Sequence, residues 1–186
     1  MARHKEFDPD QALDKAMMAF WHYGYTATTM QRLVEATGVV RASLYATYGN
    51  KADIFKLALE RYGQRQAARM AGLPREQMLA RWFEVTIADS QRDDVPNGCL
   101  LVTAASDYNA LPPDVQGLIH IHLERIRAFF LHCVQREHDE PTALQPLVES
   151  IHAANIGMYV LSRSGAPPQQ LQHIADHILS EVNSRP

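Results

Sequence analysis

Arg41, Ser43, Tyr45 and Tyr48 fall within one eight-residue stretch, and Thr29, Gln31 and Lys51 flank it. These cationic and hydrogen-bonding side chains suit a polyanion that also presents patterned edges. Arginine pairs in bidentate fashion with guanine and glutamine with adenine, so Arg41 and Gln31 are candidates for base edges. Hydroxyls and an ammonium group suit phosphate oxygens, which makes Thr29, Ser43, Tyr45, Tyr48 and Lys51 candidates to hold a nucleic-acid backbone. Such work needs the side chains on one outward face. The elements that carry them therefore decide the reading.

Met30, Leu33, Val34 and Thr37 recur at i, i+3, i+4 and i+7, the spacing of one helix face. Thr28 followed by Gln31 has the spacing of a capping box at the start of that helix. Gly38 sits where the chain must turn sharply, and glycine enters left-handed backbone conformations without steric penalty. Val39 and Leu44 can plug a second helix back onto the first, leaving Arg41, Ser43, Tyr45 and Tyr48 outward. A helix, a glycine turn and a polar-faced helix form the outline of a DNA-reading helix-turn-helix.

Gly24-Tyr25, Thr28-Thr29, Ala36-Thr37-Gly38-Val39 and Ser43-Leu44-Tyr45, followed by Tyr48 and Asn50-Lys51, resemble the signature of the TetR family of bacterial transcriptional regulators. The resemblance spans roughly the first third of the chain and is looser beyond it. Val40 stands where a small hydroxyl residue usually opens the second helix, which weakens its N-cap. Ala46-Thr47 replace the bulkier pair that commonly follows the tyrosine. The resemblance implies a homodimeric repressor on a near-palindromic, double-stranded DNA operator. It also implies a variable helical body that forms the dimer and senses a small-molecule effector.

The 186 residues are 46% hydrophobic and 21% charged, an ordinary globular balance. No apolar run approaches a membrane span and no signal peptide opens the chain, so no membrane partner and a cytoplasmic location are expected. Cys99 and Cys133 form neither a disulfide framework nor a zinc spacing. A formal net charge of −3 argues against nucleic acid until it is divided along the chain. Met1 to Gly63 carries +1 and the remainder −4, and Arg3, Lys5, Arg41 and Lys51 can share a face. Arg3-His4-Lys5 reads as a short basic arm.

Asp8 and Pro9 mark the first helix, which Gly24 is expected to stop. Asn50 caps a fourth helix running to Gly72, and Pro74 opens the fifth. Residues 93–98 cluster turn formers. Cys99 to Asp107 reads as a short helix, Asp114 as the cap of a long one to about Glu137, and Thr142 to Arg163 as another. Pro167-Pro168 introduce the last. The expectation is an all-α chain of about nine helices, with an N-terminal helix-turn-helix domain at 1–50 and a ligand-binding and dimerisation domain at 51–186.

In that body Trp82, Phe83, Cys99, Tyr108, Phe130, Met158 and Tyr159 are candidates to surround a ligand, although each could be ordinary core. Cys99, following Asn97-Gly98, should lie in a first helical turn, where it is either a small buried packing residue, the commoner fate of a free cysteine, or a thiolate made reactive by the macrodipole. Gly98-Cys99-Leu100-Leu101-Val102 also resembles a segment of electrophile-responsive TetR-type repressors. Ala153, Ala154, Gly157, Val160 and Leu161 form a small, apolar stripe suited to packing between subunits. Glu149 with His152, and His173 with His177, have metal-ligand spacings, but no second Glu-x-x-His completes a di-iron set. No metal and no cofactor are expected. No catalytic triad ordering, phosphate loop or carboxylate pair stands out, so an enzyme is not expected. An architectural DNA binder without an effector, or a metal-binding helical protein, would be the alternatives.

Overall fold

Asp8 starts the first helix as its side chain accepts from the backbone N–H groups of Asp10 and Gln11, at 2.9 and 3.4 Å. Pro9 fills the first helical position, where a missing N–H costs nothing. The computed structural model describes residues 7–185, and the basic arm at Arg3-His4-Lys5 lies outside them. Nine α-helices and two short 3-10 turns follow one another, with no strand among the described residues. The helices are α1 (Pro9–Ala27), α2 (Met30–Thr37), α3 (Arg41–Tyr48), α4 (Lys51–Ala68), α5 (Arg75–Asp89), α6 (Leu100–Ala105), α7 (Pro113–Val134), α8 (Gln145–Arg163) and α9 (Pro168–Asn183). The all-α expectation is met.

Several boundaries differ from those expected, each for a local reason. Gly24 breaks α1 without ending it, because φ 76° and ψ 174° kink the chain before one more turn to Ala27. The cap of α2 is Thr29, whose hydroxyl accepts from Arg32 N at 3.2 Å. Thr28 is buried instead, and its hydroxyl donates to Gly24 O at 2.6 Å. The expected Thr28–Gln31 capping box therefore does not form, and Gln31 donates to Glu35 at 2.9 Å. Asp114 sits in the first turn of α7 and pairs with Lys56 of α4. Gly38 is left-handed at φ 72°, and its N–H closes α2 on Val34 O at 2.9 Å. Asn50 caps α4 in a reciprocal box with Asp53. Here the reading of the sequence and the geometry agree.

Two hydrophobic clusters result. The first joins α1 to α4 with α6 and the start of α7 around Phe20, Leu33, Leu44, Ile54 and Phe55. Phe20 and Phe55 meet edge to face at 4.9 Å, a favourable aromatic geometry. The second joins α5, the end of α7, α8 and α9 around Phe83, Phe130, Ile151, Met158 and Leu171. A boundary at residue 50 would part Asn50 from the helix it caps, whose Ile54, Phe55, Ala58 and Leu59 belong to the head's core.

The kink of α1 is gripped from the body. Arg163, at the end of α8, donates to the carbonyls of Trp21 at 3.2 Å and His22 at 2.8 Å. Asp107 accepts from Thr26 N at 3.2 Å on the other side of Gly24. The Gly24 backbone angles are ones only glycine adopts readily, and an added Cβ would stand 3.3 Å from the Asp107 carboxylate. Gly24→Ala should therefore cost about 1–3 kcal/mol. Urea unfolding monitored by circular dichroism measures it, and an unchanged midpoint would mean the kink is not held in this form.

Candidate nucleic-acid interface and ligand cavity

The outer face of α3 is built by what lies beneath it. Leu44 is buried and pins the helix onto α2, while Arg41 and Tyr45 are exposed and Ser43 is half-buried. Among the described residues the Arg41 guanidinium has no partner. Val40, the N-cap, is 65% exposed and provides no side-chain cap bond, as its side chain dictates. Thr29 and Gln31 are exposed at the neighbouring start of α2.

Tyr48 and Lys51 are placed differently. The Tyr48 hydroxyl donates to Pro9 O at 2.5 Å, tying the end of α3 to the start of α1. Lys51 donates to Thr26 O at 3.3 Å and lies 4.2 Å over the Tyr25 ring, a cation–π contact. Burial lowers its pKa. Both residues fix the pose of α3, and either reaches a phosphate only by loosening that tie. Arg32, not singled out from sequence, stacks 4.6 Å over Tyr23 and donates to Ala27 O at 2.7 Å.

In the body, α4, α5, α6, α7 and α8 line a cavity of about 590 Å³. Of the seven expected ligand residues, Trp82, Cys99 and Tyr159 line it. Phe83, Phe130 and Met158 are core residues instead, packed in the second cluster on helix faces turned away from the cavity. Tyr108 lies in a 3-10 turn, 42% exposed and away from the cavity. Trp82 has its indole N–H taken by Asn155 Oδ1 at 2.8 Å. It meets Phe129 at 5.0 Å, and both rings form part of the wall. The Thr86 and Tyr159 hydroxyls hydrogen bond at 3.4 Å. Tyr62, His122, Met70 and Ile126 also line the space and went unread in the sequence. A tyrosine and a histidine on otherwise apolar helix faces were the available signal.

Cys99 is the N-cap of α6, a helix of six residues, and does not sit in its first turn. The thiol is buried, and desolvation raises its pKa although Tyr62 and nearby backbone groups pull the other way. Burial outweighs the helix terminus, which favours Cys99 as a packing residue over an activated thiolate. Cys133 is pushed up to about 12, also by burial. Among the described residues no three His, Cys, Asp or Glu side chains converge as metal ligands, and no helix is long and apolar enough to cross a membrane.

A helix-turn-helix head on an all-helical body with an apolar cavity is the architecture of a bacterial one-component regulator. Residues 12–58 match the family model "Bacterial regulatory proteins, tetR family". The chain is 33% identical over 188 residues to the HTH-type transcriptional repressor ComR of Escherichia coli (strain K12), covering 93% of this chain and 88% of that protein. It belongs to the TetR family. The uncharacterized HTH-type transcriptional regulator YezE of Bacillus subtilis (strain 168) is 26% identical, with 98% and 100% covered. The fold is also that of a cysteine mutant of the TetR family transcriptional regulator CifR complexed with 26-bp double-strand operator DNA. That likeness has a TM-score of 0.82 at 24% identity and covers 99% and 100% of the two chains. A TetR transcriptional regulator from Legionella pneumophila superposes with a TM-score of 0.82 at 17% identity, with 96% and 99% covered.

The thiol geometry yields a kinetic expectation. Only thiolate reacts, and both cysteines are held protonated near neutral pH. A chromogenic disulfide reagent at pH 8 should label folded protein at least about tenfold more slowly than urea-unfolded protein. Equal rates would mean that one thiol is open and ionised.

Proposed function

We propose that this protein is a ligand-responsive transcriptional repressor that binds a near-palindromic DNA operator as a homodimer and is released by a small-molecule effector. One observation carries the reading: α4 is at once a wall of the head's core and a wall of the cavity. A ligand that moves the cavity wall moves the reading head. An architectural binder has no use for such a cavity, whereas a regulator requires one.

On DNA, α3 enters the major groove, with half-sites about 34–36 Å apart or a multiple of that. Arg41 and Gln31 face base edges, and the exposed Val40 is placed to pack on a thymine methyl group. Thr29, Ser43 and Tyr45 hold phosphates, while Tyr48 and Lys51 set the pose of α3 and reach the backbone only secondarily. Relatives support this reading, since ComR is named a repressor and CifR is seen with operator DNA. With operator obtained by in vitro selection, Arg41→Ala should weaken binding by about 1–3 kcal/mol and relax preference at one position per half-site. Wild-type affinity and preference in that variant would take α3 out of the groove.

The dimer is assigned to α8 with α9, as a four-helix seam. Ala153, Gly157 and Val160 form an outward stripe at spacings of four and three, with Val160 53% exposed and open space above Gly157. A Cβ added at Gly157 meets nothing within 4 Å, so an arginine there can point outward, where it would bring an unpaired cation into the seam. Gly157→Arg should therefore stay folded, sediment as a monomer and lose tight operator binding. An unchanged dimer by sedimentation velocity would place the seam elsewhere.

A further inference from the structure

The cavity wall is mostly apolar, and two of the polar atoms on its lining residues are buried without a partner. Tyr62 Oη on α4 and His122 Nε2 on α7 are buried, in side chains only 7% and 8% exposed, and neither has a hydrogen-bond partner among the described residues. Cys99 and Gln66 stand close enough to Tyr62 to bias its titration without completing a hydrogen bond. Glu60 Oε2 is 3.6 Å from His122 Nε2, too far for one. Native interiors rarely leave such groups unmet. Trp21 Nε1, Thr103 Oγ1 and His152 Nε2 are also unmet, but only Tyr62 and His122 belong to residues that line the cavity, where a guest can supply the partner.

The charge of the guest follows from the lining. Its carboxylate and guanidinium, Glu60 and Arg125, pair with each other at 3.3 Å and are about half exposed at the rim. That pair leaves no unpaired charge in the buried part of the lining for an ionised guest, His132 being exposed, and an unpaired charge in an apolar space is costly. Burial raises the pKa of Tyr62 and lowers that of His122, so both present neutral groups. Trp82 and Phe129 offer ring surface, and a space of about 590 Å³ is in the range that encloses a drug-sized molecule.

We propose that the cavity binds an uncharged, mainly aromatic molecule bearing a carbonyl or hydroxyl oxygen, with Tyr62 Oη donating to that oxygen and His122 Nε2 free to meet a second polar atom. This inference rests on the reading of the cavity as the effector site and adds the chemical class of the effector. Uncharged molecules of this kind cross membranes unaided, and the polar pair lets the site reject plain hydrocarbon. Without Tyr62 Oη the site would take either equally.

The test uses the full chain and four probes on one skeleton: naphthalene, 2-acetonaphthone, 2-naphthoate and 2-naphthylmethylammonium. Binding is followed by calorimetry without DNA. The ketone should bind at least about tenfold more tightly than the other three, the discrimination expected when one buried hydrogen bond is made or lost. Tyr62→Phe, which keeps the ring and its packing on Trp21 at 5.1 Å, should bring the ketone to the level of naphthalene and leave naphthalene unchanged. Equal binding of ketone and naphthalene, stronger binding of either ion, no binding of any probe, or a preference that survives Tyr62→Phe would each overturn the proposal. Operator release is measured separately. Ketone binding with the stated preference but without release supports the ligand class and overturns the effector reading, whereas release driven by the anion does the reverse.

Discussion

The structure depends on α4 being buried along both halves of its length. Its first half presents Ile54, Phe55 and Ala58 to the head, where Phe55 meets Phe20 and Tyr25. Its second half presents Leu59, Tyr62, Gly63 and Ala67 to the cavity. Eighteen helical residues span about 27 Å, and an unbroken helix of that length transmits displacement with little loss. Ion pairs hold it on either side, Lys56 to Asp114 of α7 and Arg61 and Arg65 to Asp14 of α1. These pairs are partly solvent-exposed, so each adds little stability and serves mainly to orient the helix.

A second connection runs through Cys99. The segment from Asn97 to Cys99 lies between the cavity and the Gly24 kink, with Asn97 O accepting from Arg163 at 3.4 Å and Cys99 lining the cavity. Arg163 in turn holds the carbonyls of Trp21 and His22. A guest pressing on Cys99 and Tyr159 therefore acts on the same arginine that grips α1. Besides the packing of α6 and α7, the head is tied to the cavity wall by α4 and by the Arg163 clamp.

Helix ends were legible in the sequence wherever one residue type has a single good use. Asp8 with Pro9, Gly38 and Asn50 are of that kind, and each sits where its chemistry demands. Thr28 and Thr29 were not separable, because either hydroxyl can cap a helix and only the packing of Gly24 and Ala19 decides which turns inward. The helix-turn-helix was legible because it is local. The cavity was not, since its lining comes from five helices spread over a hundred residues of sequence. Trp82 and Phe83 are adjacent, yet one faces the cavity and the other the core, a distinction set by where α7 and α8 pack. Cys99 stayed open between a packing residue and a reactive thiol because a helix terminus and burial act on a thiol in opposite directions, and sequence reveals only the first.

The hydrogen bond from Arg163 to Trp21 O joins residues 142 apart. Helices α1 to α4, by contrast, find most of their partners within the first 68 residues. During synthesis the head can therefore collapse early from nearby segments, while its kink stays ungripped until α8 has left the ribosome. The clamp is among the last ties the chain can make. A product that stalls before α8 would carry a packed reading head whose kink lacks the grip of Arg163.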